Sequence, residues 1–382
     1  MTQKKKQGPL SGFKIIEFAG LGPAPFAGMM LSDMGAEILR IERKSSKISQ
    51  DSSARNHDVL SRGRTTIAID LKKSDQVLLT LKLIKKADAL IEGFRPGVME
   101  KLGLGPKICL KKHPKLVYAR MTGWGQDGPL SQYAGHDINY LALTGALHSI
   151  GRKNSNPTPP LNLVGDFGGG GMFLAFGVVC ALIEASKSKK GQVVDAAMVD
   201  GITSLMAMFH GLLSSQTWED KPANNFLDTG SHYYDTYECS DGKYVAVGAI
   251  EPKFYNSLAE LIGLDKISDE NEQMDKSRWP ALKQKMNSIF LEKTRDEWCK
   301  IMENRDVCFT PVLSIKEAYD HPHNKARNLF IKNNKRVEPA PAPRFSRTPG
   351  SINQDISGSE TKTRKTLLGW GLNKKEIEGL LK

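Results

Sequence analysis

The chain has 382 residues, 40% hydrophobic and 25% charged, an ordinary composition for a globular protein that is long enough for two domains. Lysine and arginine outnumber aspartate and glutamate by 54 to 42, so the formal net charge is +12. The positive charge is spread along the chain, without zinc-finger spacing or an RNA-binding aromatic signature. This pattern argues against nucleic acid as a partner. An ordinary lysine-rich surface explains most of the charge, and the alternative is an anionic partner such as a phosphorylated cofactor or a membrane surface.

Cysteine usage and the apolar runs predict where the protein works. Five cysteines without close pairing predict reduced thiols and an intracellular location, in the cytoplasm or, in a eukaryote, in a mitochondrion or peroxisome. The basic N-terminus lacks an apolar core, so we expect no secretory signal. The longest apolar run, 171–185, is short and rich in glycine, so we expect no membrane span.

The N-terminal half alternates strand and helix patterns. An apolar stretch at 13–19 predicts a strand, and a helix with Pro25 near its first turn follows it. Glycines after this strand lack the third glycine of the dinucleotide fingerprint, so NAD is not predicted. Repeated strand–helix units build an open parallel sheet, which binds ligands at the carboxyl ends of its strands. The further predicted elements are strands at 36–43, 65–71, 88–94 and 114–125 and a helix at 74–87.

The pattern changes past about Gly230. The stretch HYYDTYECSDGKYVAVGAI predicts an antiparallel hairpin that turns at Asp241-Gly242, and amphipathic helices follow it. A proline-rich stretch then predicts an extended connector, and the last residues predict a helix. We therefore predict an α/β protein with two domains. These are a Rossmann-like large domain at 1–225, completed by 331–382, and a smaller α+β domain at 226–330.

Two short segments carry titratable groups at predicted helix starts. His136 and Asp137 precede one apolar segment, and Asp166 precedes Gly168–Gly171 and another. Each group has a structural explanation, since a histidine can be satisfied by a neighbour and aspartates commonly cap helices. Four glycines weaken a helix start by about 1 kcal/mol each relative to alanine, which favours a ligand close to that backbone. An imidazole and a carboxylate that flank a carbon can move a proton to or from either face.

Several stretches resemble the α-methylacyl-CoA racemases of the family III CoA-transferase superfamily. The resemblance runs from about Phe13 to Arg327 and implies that family's fold, an interlocked homodimer and acyl-CoA substrates. One departure is the loop at 44–61, which is longer and more polar than the family's usual segment. The stretches that carry the resemblance are GRTTIAIDLK, GFRPGVMEKLGLGP, AGHDINYLALTGAL, NLVGDFGGGG, KKGQVVDAAMVDG and VGAIEPKFY.

The resemblance also implies a role for individual residues. His136 and Asp166 are the two acid/base groups, and Asp137 and Glu251 support them, with Glu251 orienting the His136 ring. The arginines and the lysine expected to hold coenzyme A follow predicted strands, and a planar guanidinium suits phosphate. The residues expected to contact coenzyme A are Arg43, Ile69, Asp70, Leu71, Lys72, Arg95, Gly135, His136, Asp137, Ile138, Asn139 and Tyr140.

We therefore predict a racemase that epimerises (R)- and (S)-2-methylacyl-CoA thioesters through an enolate. Neutral His136 removes a proton from one face of Cα and protonated Asp166 delivers one to the other, while amides near Asp166 and Gly168–Gly171 stabilise the enolate oxygen. No metal and no separate cofactor are expected, because coenzyme A is part of the substrate. The alternative is a CoA transferase that uses Asp166 as a nucleophile. A non-catalytic CoA-binding protein is a third class, but it would be expected to lack one of these groups.

Overall fold

The computed structural model describes residues 8–44, 58–332, 336–352 and 360–381. Most of the loop that departs from the family pattern, residues 45–57, lies outside this description. The chain divides into two compact units. The larger consists of Met1–Thr144, Leu161–Leu205 and Arg327–Lys382, and the smaller consists of Gly145–Pro160 and Met206–Ala326.

A six-stranded sheet in the order β3-β2-β1-β4-β5-β6 forms the centre of the larger unit. Every neighbouring pair in it is parallel. This is the strand order of the doubly wound nucleotide-binding fold, so the Rossmann-like prediction is confirmed. The strands are β1 Lys14–Phe18, β2 Glu37–Arg43, β3 Thr65–Ile69, β4 Ala89–Glu92, β5 Val117–Thr122 and β6 Val193–Ala197.

Strand β6 is an element that the sequence pattern did not predict. Val193 is 41% exposed, because the strand lies at the edge of the sheet and lacks the continuous apolar run of the central strands. The strand pairs with β5, so the parallel sheet extends one strand beyond the predicted ones.

Helices cover the sheet and bury its apolar side chains. Phe18, Tyr118 and Trp370 are buried in one cluster, which joins the sheet to the C-terminal helices. The Trp370 indole also donates to a Glu37 carboxylate oxygen at 2.7 Å. The helices are α1 Pro23–Asp33, α2 Ser74–Ile84, α3 Val98–Lys101, α4 Pro106–Lys112, α5 Asp137–Leu143, a π-helix Leu163–Met172, α6 Phe173–Ser188, α7 Met198–Leu205, and, after the smaller unit, α15 Glu360–Gly369 and α16 Lys374–Leu381. A 3₁₀ turn, Val59–Ser61, and an antiparallel pair, β10 Phe330–Lys332 with β11 Val337–Pro339, complete the unit.

The smaller unit packs helices on an antiparallel sheet in the order β7-β8-β9. The predicted hairpin is confirmed, with Gly242 at a φ of 71° in the turn between β7 and β8. Tyr237, Tyr255, Phe290 and Trp298 lie in its core. Its elements are α8 Ala207–Ser214, β7 Tyr234–Glu238, β8 Tyr244–Gly248, α9 Pro252–Ile262, α10 Glu270–Met274, α11 Trp279–Phe290, α12 Arg295–Met302, β9 Phe309–Pro311, α13 Ile315–Ala318 and α14 Pro322–Ala326.

The boundaries of the units differ from the predicted ones at three segments: 145–160 and 206–225 belong to the smaller unit, and 327–330 belong to the larger one. In the first segment, Arg152 forms an ion pair of 2.8 Å with the buried Asp235. In the second, Trp218 packs edge-on against an aromatic ring of the same unit. The Arg152 contact joins parts of the chain that are distant in sequence, so no local sequence pattern predicts it.

One helical stretch, Leu163–Ser188, is long and apolar enough to cross a membrane by length and composition. It comprises the π-helix and α6. In this structure 44% of its most apolar window is buried inside the protein, and core helices of globular proteins pass the same test. A single helix of this kind is weak evidence for a membrane span.

Candidate active site

A cleft of about 560 Å³ lies at the carboxyl ends of β1, β4 and β5. Its walls are the segments that follow these strands, residues 21–24, 93–96 and 121–124. Ligands of doubly wound sheets bind where the strand order reverses, which here is between β1 and β4. Four more residues of the predicted site also line the cleft: Gly135, His136, Tyr140 and Asp166.

His136 is the N-cap residue of α5, with an exposed side chain. Its backbone N–H donates to the Asn139 side-chain oxygen at 3.0 Å. The hydroxyl of Tyr140 donates to the Gly135 carbonyl at 2.5 Å, and its ring packs edge-on against Trp124 with centroids 4.6 Å apart. These contacts fix the backbone on both sides of His136 and leave its imidazole at the cleft.

Asp166 lies in the first turn of the π-helix and is not its N-cap, which is Asn162. The Asn162 amide donates to Asp166 Oδ2 at 3.2 Å, a contact that the sequence analysis missed. A Cβ on Gly22 would lie 2.8 Å from the same oxygen, and Gly22 has a φ of 63°. The loop after β1 therefore passes close to the carboxylate, and only glycine suits that position.

Asp137 joins the start of α5 to the start of the π-helix. Its Oδ1 accepts the Asp166 N–H at 2.7 Å, and the Gly165 N–H also bonds its carboxylate. Burial is the main reason that the pKa of Asp137 is raised, and these amide hydrogen bonds oppose it. A Cβ on Gly165 would lie 2.2 Å from Asp137 Oδ1, so the bridge requires glycine there. Through this carboxylate, the segments that carry His136 and Asp166 are held together.

The glycine run after Asp166 packs against protein, so the prediction that it lies against a ligand is wrong. A Cβ on Gly169 would lie 2.7 Å from Ile202, and a Cβ on Gly171 would lie 2.8 Å from the Pro23 carbonyl oxygen. In a π-helix each amide donates five residues back, as Phe167 does to Asn162 at 3.2 Å. The glycine amides are therefore inside the helix, and the glycines allow α1 and α7 to approach it.

Three helices begin at the cleft, and their N-termini carry partial positive charge. Leu21 and Gly22 precede α1, His136 caps α5, and Asp166 lies in the first turn of the π-helix that continues into α6. All four residues line the cleft. An anion that forms there lies near the positive ends of three helix dipoles.

The other residues predicted to contact coenzyme A fall into two groups. Arg95 lines the cleft. Arg43 and Ile69 end the neighbouring strands β2 and β3, pair in register and do not line it. The turn after Ile69 is ordered by the Lys72 N–H, which donates to the Asp70 side chain at 3.1 Å.

Three predicted residues remain, and none of them lines the cleft. Leu71 packs against the apolar core of the larger unit, and Ile138, on α5, is 44% exposed. Glu251 caps α9 in the smaller unit and is exposed. Its support of His136 stays a prediction.

Comparison with known proteins agrees with this fold. The model of CoA-transferase family III matches residues 10–356, so the chain belongs to CoA-transferase family III. It is 44% identical to the alpha-methylacyl-CoA racemase of Mus musculus and 42% identical to that of Homo sapiens, in each case over 96% of this chain and 95% of the relative. It is 28% identical to the acetyl-CoA:oxalate CoA-transferase of Acetobacter aceti, over 87% of each chain.

Solved structures share the fold. The crystal structure of Rv3272 from Mycobacterium tuberculosis has a TM-score of 0.75 at 25% identity and covers 91% of this chain and 96% of its own. A CAIB/BAIF family protein from Brucella suis has a TM-score of 0.76 at 22% identity, over 94% of this chain and 99% of its own. The resemblance that the sequence motifs indicated is thus confirmed.

Proposed function

We propose that this protein is a racemase that interconverts (R)- and (S)-2-methylacyl-CoA thioesters. The observation that carries the proposal is that His136 and Asp166 line one cleft at the switch point of the sheet. The relatives at 44% and 42% identity are racemases, whereas the matched CoA-transferase of Acetobacter aceti is 28% identical. We therefore prefer the racemase function to the CoA-transferase function.

The reaction needs two groups, because a base that removes a proton from one face of Cα cannot return it to the other. In one direction neutral His136 removes the α-proton and protonated Asp166 donates a proton to the opposite face. In the reverse direction the two groups exchange roles. The Asp137 carboxylate, which binds the Asp166 N–H at 2.7 Å, acts as a positioning group for both.

The negative charge that forms on the thioester oxygen has to be stabilised, since a proton α to a thioester is weakly acidic. The N-termini of α1, α5 and the π-helix meet at the cleft and favour an enolate there. The amides of Gly165 and Asp166 bond the Asp137 carboxylate in this structure, and those of Gly168–Gly171 lie inside the π-helix. Helix dipoles thus replace the glycine amides as the main support of the enolate in this proposal.

Coenzyme A would lie along the carboxyl edge of the sheet. Arg43 and Lys72 stand at the ends of β2 and β3, and Arg95 stands in the cleft after β4. Neighbouring strands lie about 4.8 Å apart, so the edge from β3 to β5 is about 19 Å long. A phosphate at the β2–β3 end and a thioester in the cleft are therefore compatible with one extended ligand. No separate cofactor or metal is proposed.

The test is incubation of one epimer of a 2-methylacyl-CoA in deuterium oxide. Loss of optical purity with deuterium at the α-carbon is expected, because the donated proton comes from solvent-equilibrated groups. Transfer of coenzyme A to a free acid without α-exchange, which gives a new thioester and the free 2-methyl acid, would instead support the CoA transferase, in which Asp166 forms a mixed anhydride. Mass spectrometry and chiral analysis of the thioester distinguish the two outcomes.

We also propose that two copies form a homodimer inside the cell. An apolar stripe on α6 and the residue before it supports this: Met172, Phe176 and Ile183 are 45%, 68% and 52% exposed. A contiguous exposed apolar face of this kind usually marks an interaction surface. Interlocking of the two copies stays a prediction from the family resemblance.

A further inference from the structure

A second cavity, of about 300 Å³, lies within the smaller unit and is lined by basic side chains. Arg152, Lys153, Lys276 and Lys283 face it, and among the described residues no acidic side chain lines it. The start of α11, at Trp279 and Pro280, forms another part of its wall. None of these residues takes part in the proposed racemase chemistry.

Two of the four cations are held together by one buried carboxylate. Asp235, which is 7% exposed, pairs with Arg152 at 2.8 Å and with Lys283 at 2.7 Å. The Arg152 guanidinium also donates to the Thr236 hydroxyl at 2.7 Å, and the Lys283 ammonium donates to the Thr229 carbonyl. Both side chains are therefore fixed before any ligand arrives, which lowers the entropic cost of binding.

The charges around the cavity do not cancel. Lys276 pairs with Glu219 at 2.8 Å, and Asp235 offsets one charge of the Arg152–Lys283 pair. Asp228 is also nearby, but it is buried and its carboxylate accepts the N–H groups of Asn224, Asn225 and Gly230. Four lining cations are thus opposed by three acids, none of which lines the cavity, so the cavity itself presents positive charge.

We propose that this cavity is a binding site for a small phosphate-bearing anion, of the size of pyrophosphate. Lysines act as point charges for phosphate oxygens, and the Arg152 guanidinium, whose fork already binds Asp235 and Thr236, adds its positive charge. The first turn of α11 adds the partial positive charge of a helix N-terminus. A dicarboxylate such as succinate carries less total charge and fewer acceptor oxygens, so it is expected to bind more weakly.

The test is calorimetric titration of the full-length protein with pyrophosphate, with and without saturating coenzyme A. The variant is Lys153→Gln with Lys276→Gln, which leaves the buried Asp235 pairs intact. The matched control is Lys266→Gln with Lys285→Gln, two exposed lysines of the same unit that lie outside the cavity. Both double variants lose two positive charges.

We expect wild type and control to bind pyrophosphate equally, and the cavity variant to bind it about tenfold or more weakly. Coenzyme A should leave this difference unchanged. Equal weakening in both double variants would show that only the net charge of the protein matters. Loss of pyrophosphate binding on adding coenzyme A would show that pyrophosphate occupies the coenzyme A site. Tighter binding of succinate than of pyrophosphate, or no binding of pyrophosphate, would also overturn the proposal.

Discussion

At the scale of single residues, the two groups proposed for proton transfer are held by hydrogen bonds rather than by ion pairs. His136 is held by Asn139 through its own N–H, and Asp166 is held by Asn162 and by the Asp137 carboxylate. No ion pair restrains either acid/base group among the described residues. An imidazole and a carboxylate without ion-pair partners can exchange protons with a substrate, as a two-base reaction requires.

Replacement of either acid/base group should stop racemisation while leaving part of the proton exchange. We expect His136→Ala and Asp166→Asn each to lower racemisation by roughly 10²- to 10⁴-fold. Each variant keeps one group, so each should still exchange the α-proton of one epimer with deuterium, and the two variants should favour opposite epimers. Circular dichroism checks that both remain folded. Racemisation near the wild-type rate in either variant would contradict the two-base assignment.

The basic residue at the end of β2 gives a second test at this scale. We expect Arg43→Ala to weaken coenzyme A binding, more at low salt than at high salt, because the exposed contact to phosphate is screened by ions. Calorimetry at two salt concentrations measures the effect. Arg305→Ala, which removes another exposed arginine, is the control. Unchanged affinity in Arg43→Ala would remove that residue from the site.

At the scale of elements, the sequence predicted the central strands and misread the glycine run. The apolar strands β1 to β5 and the turn at Gly242 have local signals, and the structure confirms them. Glycine is needed at Gly169 and Gly171 because α1 and α7, which come from other parts of the chain, pack closely against these positions. A local pattern records that a glycine is needed but not whether protein or ligand fills the space beside it.

Because α7 packs closely against the π-helix, we expect alanine substitution to affect stability very differently at two helical glycines. A Cβ on Gly201 would lie 1.9 Å from the Gly169 carbonyl oxygen, whereas a Cβ on Gly211 meets nothing within 4 Å. We expect Gly201→Ala to lower the free energy of unfolding by about 1–3 kcal/mol or more. Gly211→Ala should be neutral or stabilising by up to about 1 kcal/mol. Urea unfolding measures both, and equal effects would contradict the packing argument.

A buried ion pair at the end of β4 should make stability depend on pH. Burial raises the pKa of Glu92 to about 6, although Arg120, at 2.9 Å, opposes the shift. Because the folded pKa lies above the unfolded one, near 4.5, Glu92 stabilises the fold at low pH and loses that contribution as pH rises through 6. The difference of about 1.5 in pKa corresponds to about 2 kcal/mol.

Replacement of this glutamate isolates its contribution. Between pH 4 and pH 7, wild type should lose about 2 kcal/mol of unfolding free energy relative to Glu92→Gln. Urea unfolding at several pH values measures this difference, with Glu303→Gln, at an exposed position, as the control. If wild type gains stability relative to Glu92→Gln over this range, the ion pair with Arg120 outweighs the cost of burial.

At the scale of the whole molecule, the cleft and the basic cavity lie in different units. The larger unit holds the cleft with both proposed acid/base groups, and the smaller unit holds Glu251 and the basic cavity. In the sequence, the longer segment of the smaller unit, Met206–Ala326, follows α7 and precedes the C-terminal helices of the larger unit, an order that local sequence patterns predicted only in outline. Contacts such as Arg152 with Asp235, 83 residues apart, set the observed boundary.

The apolar stripe on α6 gives the test of the proposed homodimer. Phe176 is 68% exposed near the middle of the stripe, so a charge there should oppose its burial by a second copy. We expect light scattering to give twice 42.2 kDa for wild type and a single-chain mass for Phe176→Glu. Leu78→Glu is the matched control, because Leu78 is 65% exposed on α2, away from the stripe, and should leave the dimer intact. A wild-type monomer that sediments with phosphatidylcholine vesicles, and loses this property in Phe176→Glu, would assign the stripe to lipid instead. A wild-type dimer that Phe176→Glu leaves unchanged would place the contact elsewhere.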